Sequence, residues 1–506
     1  MKDHETAERA MATIKQVMPL LWPTVLGLMC ARTGLIVATY GSYVRTDAGI
    51  FTDGSSLAAM VPTLILMFYL GKSRKRLSKR TIYILTNTAI AIESVGAIAL
   101  GAILLSPFAN QANTLVLSFI VTLASWFAIF YWLRRARGTS SSAAVTIAFG
   151  ALMLSEPVIY LCSLVPHGGA CIVMGTLSLL QFFFQRKARG RALPEKAHAD
   201  SMPIGYFGFA ERTNDGVRVL GILAVGMFIL SIALGALRGF PNGEAVPFIP
   251  ATRFGYMLIV IAVCLLVIWR SFCDSRSMMT TSIWILLQSS GALALISYAA
   301  FPDVPSIGAM FTTVFNGGMV GMTWYLVIAF SSYGNRDPYY YATAAWAVYI
   351  FPRALTRFVV VSVAPVLADN VQTIIVGALI LLSAQVVFVQ MVWLERSKPQ
   401  SEEAAPGKSI RTILGLDDIE GAPEDPETIR RELMRNNTRQ VQEQFMLSDR
   451  ETEVLTMYAL GMTQRKIAEE LCISPGTTHT HIKRIYAKTD LHSRQEILDY
   501  IERYTN

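Results

Sequence analysis

The sequence predicts an all-α protein, a polytopic transmembrane helix bundle of about twelve spans followed by a small four-helix domain. Three observations predict it. The chain of 506 residues is 53% hydrophobic and only 16% charged, which is richer in apolar and poorer in charged residues than a soluble protein. Long apolar segments alternate with loops of unequal basic content. The last stretch, from Leu447 onward, has a soluble composition and carries its own helix caps.

Residues 1–15 contain Asp3, Glu5 and Glu8, and no cleavable small-residue site follows the first apolar segment. That segment is therefore expected to be retained as a span. Segments long enough to cross a bilayer fall at Leu20–Tyr40, Leu57–Leu70 with its flanks, Thr81–Leu105, Ala112–Leu133, Ala143–Val165 and Gly169–Phe184. After a polar interval come Val217–Leu237, Phe254–Trp269, Met279–Ala300, Ile307–Phe330, Tyr341–Val366 and Val371–Leu394. The expected membrane domain is residues 1–394, in two sets of six spans.

Loop charge orients the spans. Lys72, Arg74, Lys75, Arg76, Lys79 and Arg80 follow the second segment, Arg134, Arg135 and Arg137 the fourth, and Arg186, Lys187, Arg189, Arg191 and Lys196 the sixth. Arg270, Arg276 and Arg336 continue the pattern, whereas the odd-numbered loops hold only Arg45, Arg238 and Arg253. The positive-inside rule places the even-numbered loops and both termini in the cytoplasm. Six spans, a long cytoplasmic loop and six more spans resemble the major facilitator transporters, whose related halves enclose a midplane site. The loop Gly71-Lys72-Ser73-Arg74-Lys75-Arg76 has the position and charge of that family's signature loop but lacks its acid and second glycine.

Ionisable residues within spans are costly and mark functional candidates. Here they are Arg32, Glu93, Glu156, Arg353 and Arg357, the last two on one helix face, with Glu93 and Glu156 as their expected counter-ions. The alternative for each is a structural ion pair or a snorkelling end residue. The six cysteines include no metal-ligand pair, and Cys162 and Cys171 flank one short outward loop and leave a disulfide open. No phosphate-binding glycine loop, zinc signature or nucleophile-base pair occurs, so no enzyme activity, metal or cofactor is expected.

Residues 395–445 read as a connector rich in Ser, Pro, Glu and Gly, with a helix predicted over Pro426–Gln444. Beyond it, Ser448 and Glu451 form a capping box that starts a helix at Asp449, and Gly461 is suited to end it. Thr463 caps a second helix, through Leu471, and Ser474 caps a third with Pro475 at its first position. Ser493 and Glu496 form another capping box for a fourth. The second and third helices are spaced as a helix-turn-helix. Residues 447–506 hold eight Lys and Arg against nine Asp and Glu, yet no acid lies between Pro475 and Thr489. The third helix thus carries basic residues without any acid among them, as an element lying in a DNA groove requires.

This stretch resembles the LuxR-type helix-turn-helix domain of bacterial transcription regulators. The resemblance rests on Leu447, Arg450, Glu451, Glu453, Val454, Leu455, Gly461, Ile467, Ala468, Leu471, Ser474, Thr477, His481, Ile485, Lys488, Leu491, Ser493 and Arg494. It implies a domain over residues 446–506 whose third helix enters the major groove of double-stranded DNA and whose fourth helix joins a homodimer. Expected DNA contacts are Thr463, Thr477, His479, Thr480, Lys483, Arg484 and Lys488, and expected dimer residues are Ile497, Leu498 and Ile501. His479 stands where the family commonly has a DNA-contacting lysine. The expectation is a one-component regulator in the cytoplasmic membrane of a bacterium, sensing an unidentified small molecule through its bilayer-embedded domain. The alternative is a transporter with an accessory regulatory tail. A mere anchor would need one span rather than twelve.

Overall fold

In the computed structural model the described residues are 2–40, 49–73, 76–189 except 108, 217–238, 250–333, 336–367, 377–379, 382 and most of 434–502. The chain divides into two compact units, Met1–Ser397 and Lys398–Asn506. Nearly all described residues are helical, and none is in a strand.

The first unit opens with α1 (Lys2–Tyr40), α2 (Gly49–Ser73), α3 (Lys79–Leu104), α4 (Gln111–Arg135) and α5 (Ser141–Ser163). Three of these starts are capped. Ser78, Asn110 and Ser140 accept hydrogen bonds from the backbone N–H groups of Thr81, Asn113 and Ala143, at 3.0, 2.8 and 3.1 Å, which satisfies donors that the helix leaves orphaned. The sixth apolar segment is broken at Leu179 into α6 (His167–Ser178) and α7 (Leu180–Arg189). Then come α8 (Val217–Leu237), α9 (Pro250–Ser277), a π-helical turn over Met278–Ser282, α10 (Ile283–Ala300), α11 (Pro305–Tyr333) and α12 (Pro338–Leu367).

Nine helical segments among the described residues are long and apolar enough to cross a membrane. They comprise the whole first set of six and, in the second set, Ala251–Cys273, Ile283–Ala300 and Pro305–Ser332. Of the other three predicted segments, α8 offers a shorter apolar stretch, Leu223–Leu237. α12 is 30 residues long and carries Arg353 and Arg357. The last segment, Val371–Leu394, lies almost entirely outside the described residues, as does most of the connector.

The unit exposes large apolar side chains and buries ionisable groups within a largely apolar core. Val61, Ile65, Phe68, Val95, Leu265 and Ile296 are exposed, whereas Arg32, Glu93, Glu156, Arg253, Arg353 and Arg357 are buried. Lipid contributes no hydrophobic drive between helices, so close approach and hydrogen bonds hold them together. α3 and α6 meet in this way, with Ser94 Oγ donating to the carbonyl of Gly175 at 2.6 Å. A Cβ on Gly175 would lie 2.8 Å from the Ser94 carbonyl oxygen and 3.0 Å from Ile98 N. α8 approaches α12 as closely, and a Cβ on Gly235 would lie 2.5 Å from the Arg353 carbonyl oxygen.

The second unit carries α13 (Asp449–Ala459), α14 (Gln464–Glu470), α15 (Pro475–Thr489) and α16 (Arg494–Glu502). The first predicted capping box forms in both directions. Ser448 Oγ accepts from Glu451 N at 3.3 Å, and Glu451 accepts from Ser448 N at 2.8 Å. Gly461 adopts φ +98° after α13, the left-handed stop that favours glycine. Thr463 caps α14 and Ser474 caps α15. Ser493, the predicted cap of α16, lies outside the described residues. Val454, Leu455, Ile467, Ile482, Ile485, Ile497 and Ile501 form the core. Val441, near the end of the predicted connector helix, belongs to the same core, with Met434 and Phe445 packed against it. Thr438 and Thr456 share a hydroxyl hydrogen bond of 2.7 Å, and Phe445 packs edge-on against Tyr500.

The α3–α6 contact gives a stability prediction. Gly175→Val should force the two backbones apart and destabilise the membrane unit by about 1–3 kcal/mol. Gly221→Ala, within α8 and with open space around its Cβ, should leave stability unchanged or raise it by up to about 1 kcal/mol. Thermal unfolding of the two variants in lipid checks this.

Candidate nucleic-acid interface and membrane cavity

α15 divides cleanly. Thr478, Ile482, Ile485 and Thr489 are buried, while Gly476, His479, Thr480, Lys483, Arg484 and Ala487 are exposed. The exposed positions recur at three- and four-residue intervals and so form one face. Thr480 Oγ1 donates to the Gly476 carbonyl at 2.9 Å. Thr477 is exposed at the start of the same helix, its N–H bonded to Ser474 Oγ at 3.0 Å. Thr463 is exposed at the start of α14. The turn between α14 and α15 places Cys472, a non-glycine residue, at φ +51°. The backbone N–H of Ile473 closes it on the Ala468 carbonyl at 3.0 Å.

Lys488 is exposed too, and its Nζ lies 2.7 Å from Glu451 Oε2 and 3.1 Å from the Met446 carbonyl oxygen. It joins α15 to the capping box of α13. Burial raises the pKa of the Glu451 carboxyl, but hydrogen bonds from Lys488 and Ser448 outweigh that, and the net shift is downward. Ile497 and Ile501, expected at a dimer contact, are 2% and 1% exposed and face their own core. A nine-residue helix has one apolar stripe, and the monomer uses it. The side chain of Leu498 lies outside the described part.

In the first unit the buried charges do not pair as the sequence suggested. Glu156 accepts from Arg32 Nη2 at 2.6 Å, and its other oxygen lies 3.7 Å from Arg253 Nη2. Arg32 also donates to Ser155, and Arg253 stacks over Tyr256 at 4.7 Å. Glu93 accepts from Gln181 at 2.9 Å, and Gln181 in turn accepts from Trp132 Nε1 at 3.1 Å. Arg353 donates to Asn316 Oδ1 at 2.9 Å and sits 5.3 Å from the Tyr349 ring centre. Neither Glu93 nor Glu156 is its partner. Cys162 and Cys171 are free thiols, and no cluster of metal-binding side chains occurs among the described residues.

Arg32 and Arg353 are brought together at one cavity of about 50 Å³, with Trp126, Trp324, Trp346 and Tyr349 around it. Arg238 also lines it. Arg357 is buried but does not line it, and Glu93 lies elsewhere. Arg238 and Arg253 are the functional candidates that the sequence missed. Both sit at span ends, where a basic residue looks like an ordinary loop charge.

With this geometry in view, comparison with known proteins places the second unit. Residues 446–501 match the family described as bacterial regulatory proteins, luxR family. The Fimbriae Z protein of Salmonella typhimurium is 44% identical over 54 residues, 11% of this chain and 26% of that protein. The Fimbriae Z protein of Escherichia coli K12 is 37% identical over 59 residues, 12% and 28% of the two chains. The chain spans about a quarter of the length of these relatives. Residues 446–501 are thus a LuxR-type helix-turn-helix DNA-binding domain, preceded by helices apolar and long enough to cross a membrane.

The Lys488–Glu451 pair yields a prediction with a definite sign. The folded pKa of Glu451 lies below its unfolded value, so its contribution to stability is complete above about pH 4.3. It is lost as pH falls through the folded value. Lys488→Met should destabilise the domain by about 1–2 kcal/mol and flatten this acid-side dependence. It should also lower the log–log salt slope of DNA binding by about 1. Denaturant unfolding of the full tail from pH 3 to 7 and salt titrations of DNA binding measure both.

Proposed function

We propose that the protein is a one-component transcription regulator held in the cytoplasmic membrane of a bacterium. A domain of twelve spans, similar in plan to a major facilitator, binds a small molecule and controls DNA binding by the tethered helix-turn-helix. The observation that carries this is the acid-free face of α15, exposed on a domain that shares its chain with membrane-crossing helices. The alternation of basic loops supports a cytoplasmic position for that face, on the side of the chromosome. Thr463, Thr477, His479, Thr480, Lys483, Arg484 and Lys488 form the DNA contact set, Lys488 also pairing with Glu451 of α13. The operator-bound form is a homodimer, with Leu498 as the remaining apolar candidate on α16. Arg32, Glu156 and Arg353 form the sensing site, and Arg357 and Glu93 support its helices.

Lys483→Ala should weaken operator binding and lower the log–log salt slope by about 1, the signature of one lost phosphate contact. An unchanged slope in the folded variant would remove Lys483 from the contact set.

The rival function, a transporter with a regulatory tail, has one observation in its favour. The loop after α2 lacks an acid of its own, but Asp337, just before α12, accepts a hydrogen bond from Leu77 N at 2.8 Å. Arg336 donates to the Gly71 carbonyl at the end of α2. The two functions separate on flux. A sensor in reconstituted vesicles should bind its inducer without concentrating it under a proton or sodium gradient. Gradient-driven accumulation by the purified protein would establish the transporter instead.

A further inference from the structure

The cavity beside Arg353 has a neighbour. A second cavity, of about 170 Å³, is lined almost wholly by apolar groups, among them Leu223, Met227, Leu326, Phe330 and Val348. Thr323 lines both. α11 and α12 line both cavities, α1 and α4 close the first, and α8 leads from the second to Arg238 just beyond its end. On α11 the lining moves from Asn316 to Phe330, on α12 from Arg353 to Tyr341, and along α8 it runs from Arg238 to Leu223. The two cavities therefore succeed one another along a common axis. At the helical rise, the ten residues from Asn316 to Leu326 extend about 15 Å. One end offers guanidinium groups and indole rings, and the other offers hydrocarbon.

We propose that the two cavities are one elongated site for an amphipathic monocarboxylate. The carboxylate meets Arg353, and the hydrocarbon body passes Thr323 into the apolar cavity. This deepens the sensor function given above and rests on it for its biological meaning. A guanidinium offers a planar fork that matches a carboxylate with two hydrogen bonds. Asn316 and the Tyr349 ring hold that fork in place. The arginine cavity alone, at about 50 Å³, has room for a carboxylate and little more, so the remainder must lie elsewhere. The apolar cavity supplies that space, and Thr323 at the junction is small, with its hydroxyl already bonded to the Met319 carbonyl at 2.7 Å. A hydrocarbon passing it strands no polar group.

The test uses the full chain in lipid nanodiscs, with empty nanodiscs subtracted for partitioning into lipid. Binding of straight-chain carboxylates from acetate to decanoate, and of decanol, is followed by calorimetry and by the fluorescence of the tryptophans around the cavity. Affinity should rise roughly fourfold per methylene until the apolar cavity is full, and decanol should bind at least tenfold more weakly than decanoate. Arg353→Ala should lose at least tenfold for decanoate but not for decanol, and Arg353→Lys should restore only part. Thr323→Trp should block decanoate and spare acetate, which keeps the proposal testable if Arg353→Ala fails to fold. Equal binding of acetate and decanoate, equal binding of decanol and decanoate, or unchanged decanoate binding in folded Arg353→Ala would overturn the site. Operator binding is measured on the same samples. Chain-length-dependent binding without any change in operator affinity would keep the site and overturn the sensor. An operator response to another inducer, with no decanoate binding, would do the reverse.

Discussion

Glu156 is the charge about which the membrane unit is arranged. It projects from α5, 1% exposed, and meets Arg32 from α1 and Arg253 from α9. An ion taken out of water costs several kcal/mol even after relaxation, and only close partners offset it. Separating any one of these three helices from the others would leave a buried charge without its counter-ion. The set therefore fixes α1 and α5, from the first group of six, against α9 from the second. The cavity beside Arg32 inherits its shape from that constraint. The close approach of Gly235 to the Arg353 carbonyl fixes the opposite wall.

Much of this was legible in the sequence wherever the deciding signal was local. Ser448 with Glu451, Thr463, Ser474 with Pro475, and Gly461 each act within a few residues of themselves, and each does in the fold what its chemistry indicates. Partner choice was not legible. Helical spacing shows that Arg353 and Arg357 share a face, but not that Asn316 and Tyr349 meet Arg353 while Glu156 turns to α1 and α9. Arg238 and Arg253 were hidden for a related reason. A basic residue at a span end carries no sequence mark that tells an inward-leaning side chain from a solvated one. The contacts that Lys488 and the isoleucines of α16 make within the domain were equally hidden. Their spacing allows either an internal or an external role, and only packing against α13 selects between them.

The tyrosines give a smaller case. Tyr458 and Tyr486 place their hydroxyls 3.2 Å apart. Arg494 lies over the Tyr458 ring at 4.7 Å and donates to the Tyr458 carbonyl at 2.7 Å. One arginine at the start of α16 thus secures the end of α13. The hydroxyl contact then carries the connection to α15. Burial, followed by the Tyr458 hydrogen bond, raises the pKa of Tyr486, so the Tyr486 hydroxyl keeps its proton throughout the physiological range.

The segregation of charge in the helix-turn-helix has a consequence for how the domain finds DNA. α15 carries Lys483, Arg484 and Lys488 with no acid, whereas α13 and α16 each carry three acids against one arginine. The domain is therefore an electric dipole with almost no monopole. Beyond a Debye length of about 8 Å in physiological salt it feels little pull toward a phosphate backbone. Within that distance the field of the duplex turns it more than it draws it, presenting α15 and holding the acidic helices away. Electrostatics then selects orientation at contact rather than raising the frequency of encounter. A tether that keeps such a domain near the nucleoid would supply the proximity that its net charge does not.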